Sequence, residues 1–430
     1  MTQDNTKHPT IITVTPLPPH ITGGIEEYAY SVVNGMRKEG LNVIVVTSRF
    51  NEDDATAYPE EAGYIYVPSR ILFQRPILRN PLALIKVAQA IRRSDLIHIH
   101  MPYPLVEAFS AFIAKIYRKR ILVTYHMDAK IDVESENTRE PLIHSIIQKL
   151  YVLLSARWPL SYCDVICSNT RAYAESSPLL RRYLSKVRVV YQGIRRDLYG
   201  FLDRNAVENI RRKYLGQRYS YLVTFVGRLV PYKGLKYLIE AINIINKSIT
   251  NNDKSILFVI GGSGPQKDYL INLVKEYNLT NVLFIGFVDD KDLFNLFAAS
   301  DLVVSPSISE LESVPITLLS ALAVGTPVIG TSIGGTAETV PNDGVRGLII
   351  PPKDSVALAD AIWRMLNSKD QAKYKVTPLV RFWDDVAKDY IKILYAMLGL
   401  PLPSESLYNN TRMHNDRSEV INRTRKYDII

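Results

Sequence analysis

Apolar residues along this chain gather in short continuous runs, separated by stretches in which they recur every three or four positions. In the first half the runs Ile11–Thr15, Leu41–Thr47, Tyr64–Val67, Leu96–His100, Ile121–His126, Asp164–Cys167 and Val187–Tyr191 predict strands. The second half repeats the rhythm with Tyr221–Val226, Ile256–Ile260, Val282–Phe287, Leu302–Ser305, Val328–Thr331 and Leu348–Ile350. These runs are rich in Val and Ile and hardly alternate, as strands covered on both faces should. Helical patterns lie between them; Ile25–Lys38, for example, is closed by Gly40. Strand–helix alternation predicts parallel sheets in an α/β chain. Two such sets predict two doubly wound, Rossmann-like domains, whose ligands would sit at the carboxyl ends of the strands.

The polar region 195–218, with Arg195, Arg196, Asp197 and a charged helix over Asn205–Tyr214, reads as a linker. The domains are therefore expected at 1–198 and 199–380. Residues 381–400 carry Trp383 and Tyr390 on a helical period and predict a closing helix. Residues 401–430 are polar, rich in Asn and Arg, and predict a mobile tail.

The composition is that of an ordinary globular protein, and 430 residues suffice for two domains. No apolar run reaches the roughly 18 residues of a spanning helix, and the first residues lack an apolar signal core. A cytoplasmic protein is expected. The two cysteines, Cys163 and Cys167, provide no disulfide framework and read as core residues.

The net charge of +9 is uneven: Arg70–Arg120 holds ten Lys or Arg against Asp95 and Glu107. Such a region suits a solvated surface, nucleic acid, an anionic membrane or a phosphorylated substrate. No zinc-finger spacing, aromatic RNA-binding signature or basic zipper accompanies it, so nucleic acid is not expected.

Four motifs carry candidate chemistry. Thr22-Gly23-Gly24 opens a helix, where a backbone without side chains lets a phosphate approach the helix amino terminus. Gly227-Arg228, followed by Lys233-Gly234, joins a strand to a helix; a bidentate guanidinium and a point-charge ammonium suit a diphosphate. His126 ends a strand and Asp128 follows it, while His98 and His100 lie on the preceding strand. A metal cluster of these histidines matches no usual ligand spacing, and packing is the plainer reading for His98. The most informative run extends from Ser305 to Gly330. It predicts a strand end, Glu312 at the turn, Pro315 at the first helical position and Gly325 just past the helix. A carboxylate beside an anion-favouring helix terminus suits a ligand that is anionic at one end and hydroxylated at the other, such as a sugar diphosphate.

That run resembles the signature of the retaining glycosyltransferase family four: a Glu, seven residues, a second Glu, then Ala-x-Ala-x-Gly-x-Pro-Val. Here Glu312 fills the first position, and Ala321, Ala323, Gly325, Thr326, Pro327 and Val328 follow in register, but Ser320 occupies the second. The Gly-Arg-x4-Lys-Gly motif, the Gly-Gly loop, His126, Gly261–Pro265, Gly334–Glu338 and Gly347–Pro352 occur in the family's order. The resemblance spans residues 10–398. It implies the GT-B fold: two facing Rossmann-like domains with a carboxy-terminal helix crossing back to the first.

It further implies a hexosyltransferase that moves a sugar from a nucleoside diphosphate, with UDP favoured, and retains its anomeric configuration. No metal or other cofactor is expected. Arg228, Lys233 and the Gly24 backbone would bind the diphosphate. Gly23, Gly264 and Val288 would shape the donor cleft, the last beside the nucleobase. Glu312 would hold the sugar hydroxyls with the backbone of Ser313, Val314 and Pro315, and His126 and Asp128 would lie on the sugar and acceptor side. Ser320 would meet the ribose, and replacing a carboxylate there should cost about 1–3 kcal/mol of donor binding. The acceptor expected is a glycan or a lipid-linked sugar, in cell-surface or glycoprotein glycan assembly. A basic helix over Asn80–Arg93 would touch an anionic membrane surface. A non-catalytic nucleotide-sugar-binding regulator or scaffold of the same fold is the alternative. A nicotinamide dehydrogenase lacks its Gly-x-Gly-x-x-Gly fingerprint, and the acidic and histidine constellation of a sugar epimerase is not apparent.

Overall fold

The computed structural model describes residues 8–19, 24–50, 63–72, 75–103, 105–128, 155–248, 255–309, 312–367 and 380–402. The chain divides into two compact units, one comprising the residues up to Gly193 together with those from Trp383, the other Ile194–Phe382.

The first unit holds strands β1 Thr10–Val14, β2 Asn42–Arg49, β3 Tyr64–Leu72, β4 Arg75–Leu78, β5 Leu96–Met101, β6 Arg120–Tyr125, β7 Val165–Ser168 and β8 Val187–Val189. They form an eight-stranded sheet in the order β4-β3-β2-β1-β5-β6-β7-β8. Every pair is parallel except β3–β4, a hairpin at one edge. Its helices are α1 Gly24–Lys38, α2 Ala83–Arg93, α3 Val106–Ile116, α4 Arg157–Tyr162 and α5 Arg171–Ser176. One sheet face packs on Val87, Ile91, Val106, Ala111, Ala114 and Leu160 of α2, α3 and α4.

The other face is covered by α1 and the closing helix, Trp383–Leu398. That helix buries Trp383, Val386, Ala387, Tyr390, Ile391, Leu394 and Tyr395, one stripe at helical spacing. The aliphatic side chains Val386, Ile391 and Leu394 contribute about 1.5–3 kcal/mol each when fully buried. Gly35 lets α1 approach closely, because a Cβ there would lie 2.3 Å from that of Ala387.

In the second unit the strands are β9 Tyr221–Val226, β10 Ile256–Gly261, β11 Val282–Gly286, β12 Leu302–Ser305, β13 Val328–Thr331 and β14 Gly347–Ile350. The sheet is parallel in the order β11-β10-β9-β12-β13-β14. Its helices are α6 Arg204–Leu215, α7 Leu235–Ser248, α8 Lys267–Glu276, α9 Asp290–Ala299, α10 Ile316–Ala323, α11 Thr336–Thr339 and α12 Ser355–Asn367; the closing helix is α13. In both sheets the strand order reverses about a central strand. The chain runs outward from β1 or β9 and then returns to that strand's other side.

Two features differ from the sequence reading. Region 195–218 is no linker: it folds as a 3-10 turn over Asp197–Phe201 and as α6. Asp203 caps α6, accepting from the N–H groups of Asn205 and Ala206, and Leu198 is buried against Phe294 and Val314. The division between units falls at Gly193/Ile194 and Phe382/Trp383. Strand β4 was not expected. Among the described residues no helix is long and apolar enough to cross a membrane. The tail expected from residue 401 falls outside the described residues after residue 402.

Candidate functional site

In the second unit the crevice between β9 and β12 is the place where strand order reverses, and such places collect ligands in open α/β sheets. Two loops meet there. After β9, Gly227 and Arg228 lead into a 3-10 turn over Pro231–Lys233, closed by Gly234 in the left-handed conformation at φ +67°. A Cβ on Gly234 would lie 2.1 Å from the Pro306 carbonyl oxygen, so glycine is what allows the β12 loop to lie against this turn. The Ile308 N–H donates to the Tyr232 carbonyl at 2.8 Å, stitching the same two loops.

These contacts bring Lys233 and Glu312 together. The Lys233 Nζ donates to Glu312 Oε2, and the side chains are 13% and 10% exposed. Ser307 Oγ donates to the same carboxylate oxygen at 3.1 Å. Burial opposes the charge on Lys233, but the Glu312 carboxylate outweighs it and raises the ammonium pKa above its ordinary value. Arg228 is exposed and near enough to disfavour that charge. The arrangement is a cation–carboxylate pair with a second cation beside it, at the mouth of a helix.

The other donor-side candidates take varied positions. Pro315 is not the first helical residue: it precedes α10 with ψ 95°, and its carbonyl accepts from Leu318 and Leu319 at 3.0 and 3.3 Å. A proline here needs only its carbonyl, since Ile316 supplies the first helical φ and ψ. The Val314 side chain belongs to the core with Ile194, Leu198 and Phe294, leaving its backbone for any ligand. Ser313 accepts from the Gly335 N–H at 2.8 Å, which ties the α10 entrance to the β13 loop. Ser320 lies in α10 and is 2% exposed. Gly264 sits in the β10 loop held against the β9 loop, where the Leu229 N–H donates to the Ser263 carbonyl at 2.9 Å. Val288 packs over Gly261 at the end of β10.

In the first unit Gly24 is the first residue of α1, with nothing within 4 Å of where a side chain would project. Gly23 lies outside the described residues. His126 directly follows β6 and is buried, with its Nε2 2.9 Å from His100 Nδ1. Its ring meets Tyr28 of α1 edge-on at 4.9 Å. Burial depresses its pKa to about 3, so the ring is neutral at ordinary pH. Asp128 is fastened within its own unit: Tyr125 OH and Ser177 Oγ donate to its Oδ1 at 2.8 and 2.9 Å. The three histidines form no metal-binding cluster with other residues among those described.

Sequence reasoning did not single out Ser307 as a partner of Glu312, or His100 as a partner of His126. The signal for His100 was present, since residues 98 and 100 of a strand share a face. Nothing local marked Ser307.

Residues 22–198 match the family model described as Glycosyltransferase Family 4, and residues 206–376 match Glycosyl transferases group 1. The chain is 27% identical over 385 residues to O-antigen chain mannosyltransferase C of Escherichia coli, covering 88% of this chain and 95% of that protein. It is likewise 27% identical to the D-rhamnosyltransferase WbpZ of Pseudomonas aeruginosa, covering 82% and 84%. Among solved structures it resembles HepE of Anabaena in complex with UDP-glucose. There the TM-score is 0.64 and the identity 19%, over 90% of this chain and all of that one. The matched segments take in both units, and the chain is a family-four-type glycosyltransferase of the GT-B fold.

Proposed function

We propose that the protein transfers a hexose from a nucleoside-diphosphate sugar to a glycan or lipid-linked acceptor with retention of anomeric configuration. The observation that carries this reading is the Lys233–Glu312 pair beside Arg228 at the β9/β12 crevice. As the anomeric C–O bond breaks, its electron pair leaves with the diphosphate, and the acceptor hydroxyl passes its proton to the departing phosphate oxygen as its own oxygen bonds to that carbon. Arg228, Lys233 and the start of α10 supply fixed positive charge and donors for the departing oxygens, and the Gly24 N–H is a further candidate donor. In this reading that set does the work a divalent cation would otherwise do. Glu312 orients the sugar hydroxyls, and its bond to Lys233 prepares both groups before substrate arrives. Ser320 reaches toward the ribose from about 6 Å into α10, four residues past Ile316. His126, neutral and buried, lies beside the transferred sugar, while Asp128 braces the loop that follows it.

UDP is favoured as carrier, in line with the UDP-glucose named for HepE, and mannosyl and rhamnosyl transfer by the relatives support a hexose. The O-antigen named for the Escherichia coli relative supports assembly of a surface glycan. The acceptor side of the reading draws on the outer layer of the first unit. Helix α2 turns Ile85 and Lys86 outward, α3 Phe112 and Ile116, and α4 Trp158 and Tyr162. Among the described residues of these three helices no carboxylate is exposed, because Glu107 is buried. An apolar, aromatic and cationic layer of this kind suits an anionic lipid surface at the cytoplasmic side of a membrane.

The test is nucleotide release from UDP-, GDP- and ADP-hexoses, comparing wild type with Glu312→Ala and Arg228→Ala, with glycan and lipid-linked acceptors present. Release by wild type that both substitutions abolish is expected, and the responding nucleotide names the donor. Nucleotide-sugar binding without turnover on any acceptor would overturn the reading in favour of a regulator.

A further inference from the structure

The first unit's sheet changes character along its length on the face beneath α1 and α13. Ile11 and Leu96 lie in one row, Thr13, His98 and Leu122 in the next, and His100 and Thr124 beyond them. His126 then closes the row sequence at the carboxyl end. These polar side chains are all buried, and they are linked in part. His98 Nε2 is 2.7 Å from Thr124 Oγ1, which is 2.8 Å from Tyr390 OH, itself 3.0 Å from Tyr28 OH. His100 contributes differently. Its Nδ1 lies 2.9 Å from His126 Nε2, with the two rings inclined by only 12°. Its Nε2 is buried and has no hydrogen-bond partner.

That asymmetry favours one direction of the bond. A neutral imidazole carries one proton. If His100 Nδ1 accepted from His126, the His100 proton would sit on Nε2 as a buried, unpartnered N–H. If Nδ1 donates, a bare lone pair is left instead, and orphaned buried donors are the rarer and costlier defect. The same row supplies a complement: Thr15, one residue past the Val14–Ile99 pair, has a buried hydroxyl without a partner. Its proton, through one internal water, suits a bare nitrogen.

We infer that His100 is a positioning residue: its Nδ1–H donates to His126 Nε2, fixing His126 as the Nδ1–H tautomer so that this N–H is presented to a hydroxyl of the transferred sugar. The inference rests on the reading of His126 given above. Burial keeps all three histidines uncharged, so it is the tautomer rather than the charge that the bond controls.

The experiment pairs ¹⁵N NMR of histidine-labelled protein, which has seven histidines to assign, with transfer kinetics at saturating acceptor. The variants are His100→Asn, whose amide nitrogen takes the place of Nδ1, and His100→Leu, which removes the donor. Wild type should show His126 protonated at Nδ1. In His100→Leu the Nε2–H form should appear, with kcat lowered about tenfold or more and the donor KM changed less than about twofold. His100→Asn should restore both the tautomer and most of kcat. An Nε2–H tautomer in wild type would overturn the inference, as would equal kcat in the Leu and Asn variants. Should His100→Leu fail to fold, the wild-type and Asn spectra still decide the direction of the bond. If His126→Ala turned over normally, the placement of His126 by the sugar would fall, while the spectra would still report on His100.

Discussion

Breaking the Lys233–Glu312 pair from either side should cost the second unit far more than removing both partners. Each side chain is about nine-tenths buried and the two are in direct contact. Truncating one member of such a pair leaves the other charge buried, at about 3–5 kcal/mol. For Glu312→Ala the loss also has a ceiling. An unpaired Lys233 can release its proton, and neutralising a lysine of ordinary pKa at pH 7 costs about 4.6 kcal/mol, at 1.36 kcal/mol per pH unit. The expected destabilisation is therefore about 3–4.6 kcal/mol, with the Ser307 hydroxyl losing its acceptor as well. Lys233→Met should cost about 3 kcal/mol, since Ser307 still serves the carboxylate and Arg228 stands near. The double variant Lys233→Met/Glu312→Leu, which replaces the pair by apolar side chains of similar length, should fall within about 1 kcal/mol of wild type. The two single losses minus that of the double then leave a coupling energy of about 5 kcal/mol or more.

The assay is urea unfolding at pH 7 of the four proteins in a Trp158→Phe/Trp383→Phe background. Trp363 in α12 is then the remaining tryptophan of the chain's three and reports on the second unit. A coupling below about 1 kcal/mol, the size expected of an exposed ion pair, would refute the reasoning. Nucleotide release gives an independent axis. The double variant should recover stability and remain inactive, because both groups are assigned to the donor.

Three further outcomes are expected. Gly234→Ala should lower the stability of the second unit by more than about 2 kcal/mol, combining the left-handed penalty with displacement of the Pro306 carbonyl, and an unchanged urea midpoint would contradict the loop contact. Burial holds His98 and His126 near pKa 3 and His100 well below its ordinary value, so between about pH 6.5 and 3 the unfolded chain binds protons that the native unit does not. The first unit should therefore lose up to about 1.4 kcal/mol per histidine for each pH unit below about 6.5, and equal urea midpoints at pH 7 and 5.5 would contradict this. Ser320→Ala should raise the donor Kd by less than about tenfold, the share of a neutral hydrogen bond, whereas Arg228→Ala should raise it about 10- to 150-fold; calorimetric titration with the responding nucleotide sugar orders the two.

Much of the fold was legible because buried parallel strands leave continuous Val/Ile runs, and each of those runs is a strand here. What misled was polarity. Helix α6 touches the core through the narrow stripe of Val207, Ile210, Tyr214 and the buried Leu215 and turns most of its charged length to solvent, so its composition imitates a linker. The strand β4 has four residues and includes Pro76; it survives as an antiparallel edge, where pairing on one side suffices. The site residues were recognisable as motifs, but their partnerships were not. Lys233 and Glu312 are 79 positions apart, and they meet because β12 inserts beside β9 rather than beyond β11. Local periodicity carries no record of strand order.

Both sheets reverse direction at a central strand, yet the two crevices carry opposite chemistry. Beside β9 and β12 the groups are charged, with Arg228 and Lys233 set against one carboxylate. Beside β1, β5 and β6 they are threonines and histidines without a salt bridge among the described residues, and burial keeps the histidines neutral. A diphosphate leaving group needs the first environment, since its developing charge must be met by cations already in place. Sugar hydroxyls can also be met by oriented neutral donors and acceptors, the kind of group the second environment holds. The polar row ending at His126 is costly to bury, leaving Thr13, Thr15, His98 and His100 each with an unsatisfied atom. Stability alone would favour the apolar residues that precede them in the same strands. The cost falls at the strand ends, where a ligand could recover it.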